Sequence, residues 1–130
     1  MHRFLGFGLI LISIAAVVAK SIGVVSTPPE GDFTQTLSYA FAGIAVVLVV
    51  VAFLVLKPRV PERKPGQTVD AYWSTPEVAA KAMLVWFLLE GGAIMGVLGY
   101  FLTGEVVAAG AALFAVAAFW LCGPNVFARE

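Results

Sequence analysis

The sequence predicts an all-α membrane protein with four transmembrane helices in two antiparallel hairpins and both termini cytoplasmic. Three observations predict it. Of 130 residues, 61% are hydrophobic and 12% charged, and mean hydropathy is +0.97. A soluble fold this small leaves too much surface exposed to hide so much apolar area, so the bilayer is the expected solvent. The apolar residues form four runs, separated by segments carrying proline, glycine and charge. The basic residues gather on alternate connections, as they do on the cytoplasmic side of membranes. The expected spans are residues about 4–25, 37–56, 80–102 and 105–121, in a single membrane domain 1–130.

Residues 4–18 are apolar or small apart from Ser13, with Arg3 before them and Lys20 after. A signal peptide ending near Val17-Val18-Ala19 is one reading. A span is preferred, because apolar character resumes at Ile22, Gly23, Val24 and Val25. Lys20 is then expected to snorkel to the nearby interface. Ser26-Thr27-Pro28-Pro29-Glu30-Gly31-Asp32 is a negatively charged loop, since the paired prolines oppose helix. Residues 37–56 are rich in β-branched side chains, but backbone satisfaction in lipid forces them into helix.

The segment 57–75 is expected to be a cytoplasmic loop. Its first part carries Lys57, Arg59, Arg63 and Lys64 against Glu62, with Pro58, Pro61 and Pro65 keeping it extended. The bland reading is a solvated, topology-setting loop. The sharper one makes those four cations ligands for anionic lipid headgroups. Tyr72 and Trp73 are expected interface anchors. Ser74 and Glu77 have capping-box spacing, and Pro76 suits a first turn, so a third helix is expected over residues 76–102. Thr103-Gly104 is a turn short enough to force an antiparallel hairpin with a fourth helix starting near Glu105. Trp120 marks its exit, and Gly123-Pro124-Asn125 its end. Arg3, the 57–64 cluster and Arg129 fall on one side, Glu30, Asp32 and the Thr103 turn on the other.

Glu90 is the one acid inside an apolar run. Residues three and four apart share a helix face, so Met83, Trp86, Phe87, Ala93, Ile94, Val97 and Phe101 surround it. Gly92, Gly96 and Gly99 form a stripe on the opposite side, with small-xxx-small spacing that admits a neighbouring backbone. The fourth helix, rich in Ala108, Ala109, Ala111, Ala112 and Ala115, is the expected partner. Glu90 then faces the first or second helix, another subunit, or lipid. Lys20 lies at a depth about 10 Å different, and Lys81 is on another face. A carboxyl group so placed is either an interhelical hydrogen-bonding anchor or a proton- or cation-binding group.

Residues 76–81 followed by Leu88-Leu89-Glu90-Gly91-Gly92-Ala93-Ile94-Met95-Gly96 resemble the carboxylate helix of rotary ATP synthase c subunits. That resemblance implies a reversible proton or sodium site at Glu90. The preceding helix has only Gly43 where c subunits carry a dense glycine repeat, and the loop is longer. The whole pattern is similar to that of small uncharacterised four-helix bacterial membrane proteins. In span number it also resembles small multidrug transporters, whose membrane glutamate lies in the first helix.

Several classes are excluded. Net charge is zero, which gives no electrostatic basis for binding nucleic acid. His2 and Cys122 at opposite ends make no metal site, and one cysteine makes no internal disulfide. There is no nucleophile–base pair or phosphate loop, so neither an enzyme nor a cofactor is expected. The expected role is a structural or accessory subunit in a bacterial cytoplasmic (inner) membrane. It would assemble with itself or a larger membrane complex, with Glu90 as polar anchor. The alternative is a carrier of protons or monovalent cations.

Overall fold

The computed structural model describes residues 2–23 and 31–129, with side chains in the first helix from residue 6 onward. The proline loop around Pro28 and Pro29, Glu30, Val24, Val25, and the side chains of His2 and Arg3 lie outside the described residues. Helix is the dominant secondary structure among the described residues, interrupted by a non-helical stretch over residues 60–68, and there is no strand. Its elements are α1 (His2–Ser21), α2 (Asp32–Val51), α3 (Val69–Trp73), α4 (Pro76–Thr103), α5 (Val106–Leu121) and α6 (Pro124–Phe127). Two continuous helical stretches, Asp32–Arg59 and Pro76–Thr103, are long and apolar enough to cross a bilayer, at 28 residues each.

α4 is the central helix, in contact with α1, α2 and α5. Its neighbours alternate in direction. Down α4, Gly99, Gly96 and Gly92 meet Ala108, Ala112 and Ala115 in turn, so α5 is antiparallel to it. Gly99 also meets Phe41, and Gly92 meets Ala45 and Val49, so α2 is antiparallel too. Lys20 at the end of α1 reaches Tyr100 near the end of α4, while Gly6 lies against Phe119 and Trp120. α1 therefore runs parallel to α4 and antiparallel to α5.

The helix ends follow local chemistry. α1 stops at Ser21, short of the expected residue 25, because Gly23 turns left-handed at φ +74°. α4 ends at Gly104, φ +76°, whose N–H donates to the Tyr100 carbonyl at 2.7 Å. The Thr103 hydroxyl donates to the Gly99 carbonyl and accepts from the Glu105 N–H, closing the short α4–α5 turn.

The 57–75 segment departs from an extended loop at its two ends, while residues 60–68 stay non-helical as expected. The helix of α2 continues through a widened π turn, Ala52–Leu56, and a 3₁₀ turn, Lys57–Arg59. Pro58 accounts for both. Its ring cannot approach the carbonyl four residues back, and its fixed φ suits a tight turn. α3, which the sequence reading missed, packs on α4. Tyr72 is buried rather than facing an interface, and its hydroxyl donates to the Pro61 carbonyl at 2.8 Å. Burial pushes the Tyr72 phenol pKa up, which keeps it a neutral donor.

The capping box at Ser74 does not form. The Ser74 hydroxyl donates to the Asp70 carbonyl and the Thr75 hydroxyl to Ala71, so both close α3 instead. Thr75 is the N-cap of α4, without a side-chain cap bond. Glu77 pairs with Lys81 one turn on. That hydrogen bond, with the charge beside it, holds the Glu77 carboxyl below the usual carboxylate range. A lowered folded-state pKa means the contribution is present above the ordinary carboxylate range and fades as pH falls through the lowered value. Lys81→Met should return the Glu77 titration, followed by carboxyl ¹³C shifts, to the ordinary range. An unmoved midpoint would rule out Lys81 as the cause.

Candidate functional site

Glu90 sits midway along α4, where the helix changes from a packed to an open surface. At 100° per residue it lies about 150° around from the glycine stripe. Of the face expected around it, Trp86, Ala93 and Val97 are buried, Met83, Ile94 and Phe101 half-buried, and Phe87 exposed. α1 covers the adjoining flank, where Ser13, Ala16 and Val17 share a cavity with Val97 and Tyr100. Glu90 itself is half-buried. Among the described residues no hydrogen bond or ion pair engages its carboxyl.

Lys20 is committed elsewhere. Rather than snorkelling freely, its ammonium donates to the Tyr100 carbonyl at 3.1 Å and lies 4.8 Å from the Tyr100 ring centroid. It sits ten residues along α4 from Glu90, so the two charges stay apart.

The glycine stripe meets two helices, whereas the sequence suggests one. A methyl at Gly96 would lie 2.5 Å from the Ala112 nitrogen on α5. A methyl at Gly99 would lie 2.6 Å from the Phe41 Cβ on α2 and 3.0 Å from the Ala108 Cβ on α5. At Gly92 it would lie 3.0 Å from the Ala45 carbonyl oxygen. The stripe is thus the seam where α2, α4 and α5 converge.

The four cations of the 57–64 segment are placed differently from one another. Lys57 is half-buried, with its ammonium 5.0 Å from the Phe53 ring centroid. Arg63 donates to the Gln67 carbonyl at 3.2 Å. Arg59 and Lys64 are exposed. Arg129, separated in sequence by some seventy residues, lines the same cavity as Lys57. The sequence signals Arg129 only as a topology charge.

An aromatic cluster closes this end of the bundle. Trp73 stacks on Trp86 at 5.9 Å, and Phe127 packs edge-on against both. The Trp86 indole N–H donates to the Cys122 carbonyl at 2.8 Å. Among the described residues no group of three or more His, Cys, Asp or Glu side chains converges as metal ligands would. Comparison of the chain with protein-family models, curated proteins and solved structures gave no match.

Proposed function

We propose that the chain is a multi-pass protein of a bacterial cytoplasmic membrane, crossing four times with both termini cytoplasmic. It serves as a structural or accessory subunit that assembles with itself or a larger membrane complex. The observation that carries this is the position of Glu90. It is half-buried, with no hydrogen-bond or ion-pair partner among the described residues, on the open flank of α4, while the opposite flank is used up by α2 and α5. A carboxyl group presented this way is completed by an acceptor on a neighbouring helix. The alternating helix directions support four crossings. So do the exposures of Leu54, Val106, Leu113 and Leu121, each above 70%, which suit hydrocarbon.

The rival is a proton- or cation-coupled carrier. It is favoured by the same outward-facing carboxyl on an otherwise apolar helix, as in the c-subunit resemblance. Two variants separate the readings. For an anchor, Glu90→Ala should weaken assembly about five-fold, as expected for one interhelical hydrogen bond, read by chromatography in detergent. Glu90→Gln, which can still donate, should assemble normally. For a carrier, Glu90→Gln should abolish proton or sodium flux in vesicles, and a carboxyl-reactive carbodiimide should label the unmodified protein. An unchanged elution profile for Glu90→Ala would remove the anchor reading.

A further inference from the structure

We propose that the cytoplasmic end of the α2–α5 seam is a phospholipid site. The headgroup phosphate sits between Lys57 and Arg129, and an acyl chain lies in the groove below. The proposal rests on the membrane reading above but not on any role of Glu90.

Two adjoining cavities carry it. The first, of about 460 Å³, is formed by the Lys57–Arg59 turn and the α6 segment. Phe53, Val60 and Phe127 form its apolar wall, and Lys57, Glu62 and Arg129 bring the charges. Two cations against one acid leave a net positive mouth that suits a phosphate anion. Neither Lys57 nor Arg129 has an ion-pair partner among the described residues.

The second cavity, of about 390 Å³, is a groove between α2 and α5 lined by Val50, Leu54, Phe114 and Leu121. Its lining is almost wholly apolar. Phe53 lines both cavities, so the polar mouth and the apolar groove adjoin at that ring. A soluble anion uses only the first and a hydrocarbon only the second. An amphiphile with a phosphate head and an acyl tail uses both.

The π turn at Ala52–Leu56 lies where Phe53 lines both cavities, and Lys57, one residue beyond it, lines the first. Widened turns of this kind recur at functional sites. Of the four cations that the sequence offers for headgroups, only Lys57 lines the cavity, and the second cation comes from the far end of the chain.

The test uses the full chain in detergent, with thermal unfolding and native mass spectrometry as readouts. The probes are dioleoyl phosphatidylglycerol, dioleoylglycerol and inorganic phosphate. Phosphatidylglycerol should stabilise and co-migrate, and the other two should do neither. Lys57→Gln and Arg129→Gln should each weaken binding about five-fold, and the double variant about 25-fold. Arg59→Gln/Lys64→Gln, which removes the same charge outside the cavity, should leave it unchanged. Ala117→Phe, which fills the groove, should weaken binding without touching a charge. Equal stabilisation by dioleoylglycerol would overturn the phosphate contact. Equal stabilisation by inorganic phosphate would overturn the acyl half. Equal loss in the Arg59/Lys64 variant would overturn the site altogether and leave general surface attraction.

Discussion

Gly96→Ala should destabilise the bundle by about 1–3 kcal/mol or more, the usual cost of overpacking a tight interior. The added methyl would lie 2.5 Å from the Ala112 nitrogen and 2.6 Å from its Cα. These are backbone atoms on a facing helix, so no rotamer change relieves the contact and α4 and α5 must separate. Alanine's better helix propensity, worth about 1 kcal/mol, offsets only part of this. Gly110→Ala is the internal control, since a methyl there meets nothing within 4 Å. It should be neutral or slightly stabilising. Gly99→Ala, blocked by Phe41 and Ala108, should rank close to Gly96→Ala, and Gly92→Ala below both. Reversible unfolding by dodecyl sulfate in mixed micelles measures the series. If Gly96→Ala and Gly110→Ala unfold together, the stripe is not the packing seam.

That stripe shows how far one helix can be read from sequence. Its position on α4 follows from spacing alone, and the two-residue turn at Thr103-Gly104 names α5 as a partner. That α2 shares the same seam is not legible. α2 reaches α4 across a long connection, and although its buried face, Thr34, Ser38, Ala42, Ala45 and Val49, recurs at helical spacing in mostly small residues, that stripe does not by itself name α4 as its partner. Ser74 misleads for a related reason. A capping box and the end of a preceding short helix use the same hydroxyl, and α3 wins it because Asp70 offers a carbonyl one turn back. α3 and α6 are five and four residues long, well below the length at which a helix stands alone. They exist because the aromatic cluster holds them, and a sequence read locally contains no sign of that cluster. The pairing of Lys57 with Arg129 is hidden in the same way, since only the docking of α6 brings the far end of the chain beside the α2 exit.

Trp86→Ala should cost about 3–5 kcal/mol, in line with truncating a large buried aromatic. Trp86 is 5% exposed and links four segments: α4 through its backbone, α3 through Trp73, α6 through Phe127, and the end of α5 through the Cys122 carbonyl. Trp86→Phe keeps most of the packing and removes the N–H donor, so it should cost about 1–3 kcal/mol from the carbonyl left unpaired. Cys122 reports the change directly. It is the one cysteine in the chain and fully buried, at 0% exposure. In the unmodified protein a maleimide should label it only through rare opening of this end of the bundle. At about 3 kcal/mol the open population rises on the order of 100-fold, and the labelling rate should follow it when closing outpaces modification. Trp86→Phe should fall between. A labelling rate for Trp86→Ala equal to that of the unmodified protein would mean that the cluster does not hold α3 and α6 in place. The cavity shared by Lys57 and Arg129 would then lose the support that its α6 wall requires.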